Sequence, residues 1–156
     1  MTISLRVRPV RSDDWAQLET LVAGICRFHG DEYGLTKSQF DGLAIGESAP
    51  VTVLVAEEES GLLVGFVAGF ALYSFQQGET AFEIQNLYVA EAFRRQRIGE
   101  VLMLSIMQTA RRRLGPVSFR LGALNWNEAA LEFYKQLGFA PNPHSKDSVR
   151  LMRRAI

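Results

Sequence analysis

Residues Gln85 to Leu104 read Gln-Asn-Leu-Tyr-Val-Ala-Glu-Ala-Phe-Arg-Arg-Gln-Arg-Ile-Gly-Glu-Val-Leu-Met-Leu. Leu87, Tyr88 and Val89 are strand formers. Arg94, Arg95 and Arg97 crowd the turn that follows, and Ile98, Val101, Leu102 and Ile106 then recur at helical spacing. A strand, a basic turn and a helix start are expected in that order. Gly99 has no Cβ, so the backbone there can approach a neighbour closely. The first N–H groups of a helix have no partner within it and lie at the positive end of its dipole. With three guanidinium groups beside them, they make a seat for a phosphorylated ligand. The competing explanation is a solvated surface, which is what Arg-rich turns commonly are.

Outward from this stretch, the chain alternates strand and helix patterns. Ile3 to Pro9 sets Ile3, Leu5 and Val7 against Ser4, Arg6 and Arg8, a half-buried strand with its arginines outward. Ser12-Asp13-Asp14 is expected to cap a helix whose apolar stripe is Trp15, Leu18, Leu21, Val22 and Ile25, running to about Phe28. Gly30 to Gly34 is a loop, and Thr36 caps a shorter helix through Phe40, Leu43 and Ala44. Val51 to Ala56 and Leu62 to Phe75 form a hairpin, with Gly65 and Gly69 marking a bend or a close approach. Thr80 to Val89 leads into the basic turn. The helix from Ile98 ends near Arg111, Arg112 and Arg113, and Gly115-Pro116 stops it. Val117 to Leu121 is a strand. Asn127 caps a last helix with Ala130, Phe133, Tyr134 and Leu137 on one stripe, closed by Gly138. Phe139 to Pro141 is a short edge, Pro141 to Lys146 a loop, and Ser148 to Met152 a final strand. The order is β-α-α-β-β-β-α-β-α-β-β, an α/β chain with a mixed sheet.

Composition limits the function classes. A chain of 156 residues fits a single domain over residues 1–156 with a real core. Apolar residues make up 47% and charged residues 22%, an ordinary globular balance. No apolar run reaches the length of a spanning helix, and the N-terminus lacks a secretory pattern. Cys26 is the single cysteine, which excludes an internal disulfide, and a cytoplasmic location is expected. Residues 1–93 carry five Lys/Arg against thirteen Asp/Glu, whereas residues 94–156 carry twelve against four. A basic half suits an anionic cosubstrate, and an acidic half suits a cationic acceptor.

The turn Arg94-Arg95-Gln96-Arg97-Ile98-Gly99 resembles the Arg/Gln-x-x-Gly-x-Gly/Ala motif of the GCN5-related N-acetyltransferase family. Arg97 departs from it, standing where the family has its first Gly. An arginine fits there if its backbone stays right-handed. Asn127, Ala130, Tyr134 and the Gly138-Phe139 exit stand at the spacing of the family's last block, Asn-x-x-Ala-x-x-x-Tyr-x-x-x-Gly-Phe. The element order matches the family fold over nearly the whole chain. Within the family, Leu35-Thr36, Val53 to Glu57, Val64-Gly65-Phe66 and Trp126-Asn127-Glu128 are most similar to the diamine (spermidine/spermine) acetyltransferase branch.

The resemblance implies acetyl transfer from acetyl-CoA to a primary amine of a small molecule. Direct attack is expected because no activated Ser or Cys is visible in the sequence, and no metal is expected. The resemblance also implies that Arg94, Arg95, Gln96, Arg97, Ile98, Gly99 and Glu100 hold the pyrophosphate, and that Leu87, Tyr88 and Val89 bind the acetyl and pantetheine part through their main chain. Asn127 and Ala130 would meet the CoA arm, and Tyr134 would be the general acid toward the departing sulfur. Read from pattern alone, Tyr134 is a core tyrosine and Asn127 a helix cap. The diamine branch presents Glu-Asp where this chain has Gln85 and Asn86, which hydrogen bond but accept no proton at neutral pH. Glu83, two residues upstream on the same strand face, is the candidate base; its plain alternative is a solvated carboxylate. Asp31 and Glu32, with Gln85 and Asn86, are the candidate amine-binding residues. A homodimer is implied as well. The alternatives are an acyl-CoA sensing module with little turnover, motivated by Gln85 and Asn86, and a protein N-acetyltransferase. His29 and His144 lack metal-ligand spacing. Zero net charge without interleaved aromatics argues against nucleic acid at Arg111 to Arg113.

Overall fold

The computed structural model describes residues 4–142 and 148–153. Among the described residues, seven strands and four helices follow the expected order: β1 (Leu5–Pro9), α1 (Trp15–His29), α2 (Lys37–Ala44), β2 (Thr52–Glu58), β3 (Leu63–Ser74), β4 (Glu79–Val89), α3 (Ile98–Leu114), β5 (Ser118–Leu124), α4 (Glu128–Gln136), β6 (Ala140–Asn142) and β7 (Ser148–Arg153). Single 3-10 turns at Ser12–Asp14 and Glu91–Phe93 precede α1 and α3. The hydrogen-bonded strand order is β1-β2-β3-β4-β5-β7-β6. β4 and β5 run parallel, whereas β1, β2 and β3 are antiparallel, so the sheet is mixed as expected. The loop expected through Lys146, and His144 with it, lies outside the described residues beyond Asn142. Contacts group the chain into two units, Met1–Gly69 with Asn86–Ile106 and Phe70–Gln85 with Met107–Ile156.

The first unit is built on the apolar stripe of α1. Leu18, Leu21 and Ile25 pack with Phe40 of α2 and with Val53, Val55, Leu63 and Phe66 of the antiparallel strands. Burying such side chains contributes roughly 1.5–3 kcal/mol each. α1 ends where Gly30 turns left-handed at φ 75, and Asp31 N–H closes back on Cys26 O at 2.9 Å. Thr36 caps α2 reciprocally: its Oγ1 accepts from Gln39 N–H at 3.2 Å, and Gln39 Oε1 accepts from Thr36 N–H at 2.9 Å.

Two local expectations change here. Ser12 does not cap α1; it lies in the 3-10 turn, and its hydroxyl donates to Asp41 Oδ1 at 2.8 Å. Arg8, expected outward on β1, is buried at 6% exposure. Its Nη1 and Nη2 donate to Asp14 at 2.8 and 2.9 Å, and its Nε donates to Glu57 at 2.9 Å. A buried guanidinium is tolerated because its charge is matched and its donors are used. The Arg8 hydrogen bonds hold the Asp14 carboxyl below its usual range, against the opposing effect of burial.

The second unit packs β5 between β4 and β7. Glu83 and Ile84 stand beside Arg120 and Leu121 in the parallel ladder, and Phe119 to Leu124 pair antiparallel with β7. Phe82 and Phe119 meet edge to face with ring centroids 6.2 Å apart. Along α3, whose residues fall in both units, the buried positions are Ile98, Leu102, Met103, Ile106, Met107 and Ala110, while Val101, placed on the stripe by its spacing, is 43% exposed.

Candidate functional site

In the first unit, the last residues of β4 run into the basic turn. Arg94 is extended at φ −70 and ψ 163. Arg95 and Arg97 are both left-handed, at φ 63. The condition under which an arginine would fit here, a right-handed backbone, is not what the chain adopts. The departure from the family motif is therefore one of side chain, while the backbone keeps the conformation for which glycine is suited. α3 begins at Ile98, with Val101 N–H bonded to Arg97 O at 3.1 Å. The N–H groups of Ile98, Gly99 and Glu100 precede the first intrahelical donor and head the helix.

Two of the turn's arginines, Arg94 and Arg97, are engaged with the protein. Arg97 Nε and Nη2 donate to Glu100 at 2.8 and 3.1 Å. That pair holds the Glu100 carboxyl below its usual range and the Arg97 guanidinium above its own. Arg94 Nε donates to Val89 O at 2.9 Å. Its guanidinium carbon lies 5.5 Å from the Tyr88 ring centroid and 5.6 Å from that of Phe28. What the turn offers an anion is thus main chain first, framed by cations. Arg95 and Gln96 are exposed, Ile98 is buried in the core, and Gly99 and Glu100 are half-buried.

Leu87, Tyr88 and Val89 are half-buried at the end of β4. Ala90 N–H, just past them, bonds Val64 O of β3 at 2.9 Å. A Cβ on Gly65 would lie 2.8 Å from Tyr88 O, so this glycine lets β3 come against the end of β4. Asn86 is half-buried and Gln85 exposed. Asp31 and Glu32 are exposed in the loop after α1, and the Asp31 carboxylate lies 3.9 Å from His29 Nδ1. Burial, then the nearby Glu19 carboxylate, push the Tyr33 hydroxyl of this loop upward.

In the second unit, Glu83 is only 8% exposed, so the solvated carboxylate weighed as its plain alternative is not what folds. Its ladder neighbour is Arg120, whose Nε is buried without a hydrogen-bond partner. Asn127 caps α4 by accepting from Ala130 N–H at 3.2 Å. Tyr134 lies between the rings of Phe133 and Phe139, with centroids 5.2 and 6.1 Å away. The residue keeps partial exposure, and burial pushes its hydroxyl up to about 12. It therefore holds its proton at neutral pH. Its surroundings serve equally as a core seat, and Asn127 is a cap whatever else it does.

Three participants were not singled out from sequence: Phe28, Gly24 and Arg120. Gly24 and Phe28 are spaced i, i+4 on α1, which places them on one helix face, but nothing in the pattern says that β4 lies against it. Among the described residues, no group of three His, Cys, Asp or Glu can hold a metal ion. No described helix is long and apolar enough to cross a membrane.

Residues 14–139 match the model of the acetyltransferase (GNAT) family. Thialysine N-epsilon-acetyltransferase of Mus musculus is 26% identical over 144 residues, covering 86% of this chain and 84% of that protein. The Bos taurus protein of the same name is 25% identical, covering 85% and 82%. Among solved structures, PaiA N-acetyltransferase from Thermoplasma acidophilum, in complex with coenzyme A, superposes with a TM-score of 0.80 at 15% identity. It covers 97% of this chain and 99% of that one. An aminoglycoside acetyltransferase from an uncultured soil sample superposes with a TM-score of 0.75 at 26% identity, covering 92% and 97%. With the family model spanning the core of both units, the chain belongs to the GNAT family and is an acetyl-CoA-dependent N-acetyltransferase.

Proposed function

We propose that this enzyme acetylates a primary amine of a small molecule by direct attack on acetyl-CoA. The observation that carries this reading is the left-handed turn at Arg95 and Arg97, which sets main-chain N–H groups at the head of α3 despite the missing glycine. Arg94 to Glu100 hold the diphosphate, and Leu87 to Val89 hold the acetyl and pantetheine part through main-chain bonds. Asn127 and Ala130 contact the arm. The choice of a small amine is supported by the relatives named for acetylating thialysine, though at about a quarter identity. Asp31, Glu32, Gln85 and Asn86 then face the acceptor, and the acids provide its countercharge.

Glu83 takes the amine's proton, directly or through water, because Gln85 and Asn86 cannot. Tyr134 serves the departing sulfur. A thiol ionises near 8.5, well below the Tyr134 hydroxyl at about 12, so full transfer from the phenol is uphill. Its contribution is a hydrogen bond donated to the developing thiolate. We also assign the protein to the cytoplasm as a homodimer.

The test is release of CoA thiol from acetyl-CoA with a panel of thialysine, spermidine, an aminoglycoside and a peptide with a free N-terminus. Turnover with one of the first three and not with the peptide is expected. Turnover confined to the peptide would replace the small-molecule reading with protein acetylation.

A further inference from the structure

Arg94 opens the turn that the proposed function gives to the diphosphate, and its side chain also reaches beyond that turn. Nε donates to Val89 O at 2.9 Å, tying the turn to the end of β4. The guanidinium lies between two rings, 5.5 Å from Tyr88 on β4 and 5.6 Å from Phe28 on α1. Both distances are within the range at which a cation is attracted to a ring face. Tyr88 in turn is seated on α1. A Cβ at Gly24 would lie 2.5 Å from its Oη and 2.8 Å from its Cζ, so only glycine leaves room for that ring. Gly24 and Phe28 are one helical turn apart, on one face. The last two turns of α1 thus receive Tyr88 at one level and meet Arg94 at the next. Two residues past Phe28, Gly30 begins the loop that holds Asp31 and Glu32.

We infer that Arg94 is a positioning residue that couples filling of the cofactor turn to the end of α1 and the acceptor loop at residues 30–34. The inference rests on the proposed function for its assignment of turn and loop. A guanidinium held by one carbonyl and two rings has one favoured position. Ordering the turn around a diphosphate fixes Arg94, which fixes Phe28 and the helix exit beside it. By linkage, a ligand that orders one end of this stack orders the other. The acceptor loop is therefore best formed after the cosubstrate is in place.

Amide hydrogen exchange with and without saturating CoA tests the coupling, because it reads the loop without needing the amine. In the wild-type enzyme, CoA is expected to slow exchange at residues 95–100 and, by about threefold or more, at residues 28–34. In Phe28→Leu the effect at 95–100 stays, CoA affinity changes less than about threefold, and the effect at 28–34 disappears. Phe28→Tyr, which keeps a ring, restores it. Phe28 is 45% exposed, so these variants are expected to fold. Arg94→Gln, which removes the cation, also abolishes the effect at 28–34.

Protection of the turn without protection of 28–34 in the wild-type enzyme would overturn the coupling and leave the proposed function standing. Protection of 28–34 that survives Phe28→Leu or Arg94→Gln would overturn it too. Absence of any CoA binding would remove the proposed function, and this inference with it.

Discussion

Arg97 can be replaced by glycine in one variant and by alanine in another, and the comparison reports on the backbone alone. Both replacements remove the exposed Arg97–Glu100 pair, so that interaction cancels between them. At a right-handed or extended position, glycine is worse than alanine by roughly 0.5–1 kcal/mol. At φ 63 the order inverts. An L-residue loses about 1–2 kcal/mol in the left-handed region, and glycine loses none. Glycine's larger unfolded-state entropy returns about 0.4–1 kcal/mol of that advantage. The net expectation favours Arg97→Gly over Arg97→Ala by about 0.5–1 kcal/mol. For a chain of this size, each kcal/mol moves the melting temperature by about 2–4 °C, so the glycine variant should melt roughly 1–4 °C higher. Paired thermal melts, repeated in urea, measure the difference. An alanine variant as stable as the glycine variant, or more so, would show that the turn is not left-handed at Arg97. The main-chain seat for the diphosphate would then lose its basis. Titration of CoA into both variants gives an independent check, with glycine expected to bind at least as tightly.

Four further outcomes rest on specific contacts. Gly65→Ala should destabilise by about 1–3 kcal/mol, as overpacking does, because its Cβ meets the Tyr88 carbonyl at 2.8 Å; unchanged melting would mean that β3 and β4 are not so close. Arg8→Met should cost about 3 kcal/mol by leaving the buried Asp14 carboxylate without its partner, at the low end for a broken buried pair because Glu57 is partly solvated. The Asp14 ionisation is depressed in the folded state, so its contribution is present above pH about 4 and is lost as pH falls below that; Asp14→Asn should flatten this acid loss in urea melts, and an unaltered acid profile would count against it. Tyr134→Phe should lower kcat at least tenfold with acetyl-CoA affinity nearly unchanged. With the hydroxyl at about 12, no fall in rate from its ionisation is expected up to pH 11, and full activity of the phenylalanine variant would remove Tyr134 from the reaction.

Much of the fold was legible because local signals agreed with it. The period-3.6 stripes of α1 and α4, the Thr36 and Asn127 caps and the left-handed Gly30 and Gly138 exits all sit where the chain places them. Two motifs, the basic turn and the Asn127-to-Phe139 block, pointed to the family. The burial of Arg8 was not legible, because its partners Asp14 and Glu57 are brought to it by a 3-10 turn and by the neighbouring strand. Val101 fitted a helical stripe by spacing, yet the face that α3 buries is set by what packs on it.

By itself, the sequence determined element order, the helix ends other than the start of α1, and the chemical types available for binding an acyl-CoA. Those are decided within a few residues, by backbone preference and periodicity. Only the tertiary structure decided that Arg97 takes glycine's conformation, that Glu83 is buried beside Arg120, and that Arg94 lies between Tyr88 and Phe28. The last two depend on segments far apart in the chain being packed together, and a buried charge is sustained only when such packing holds it in place.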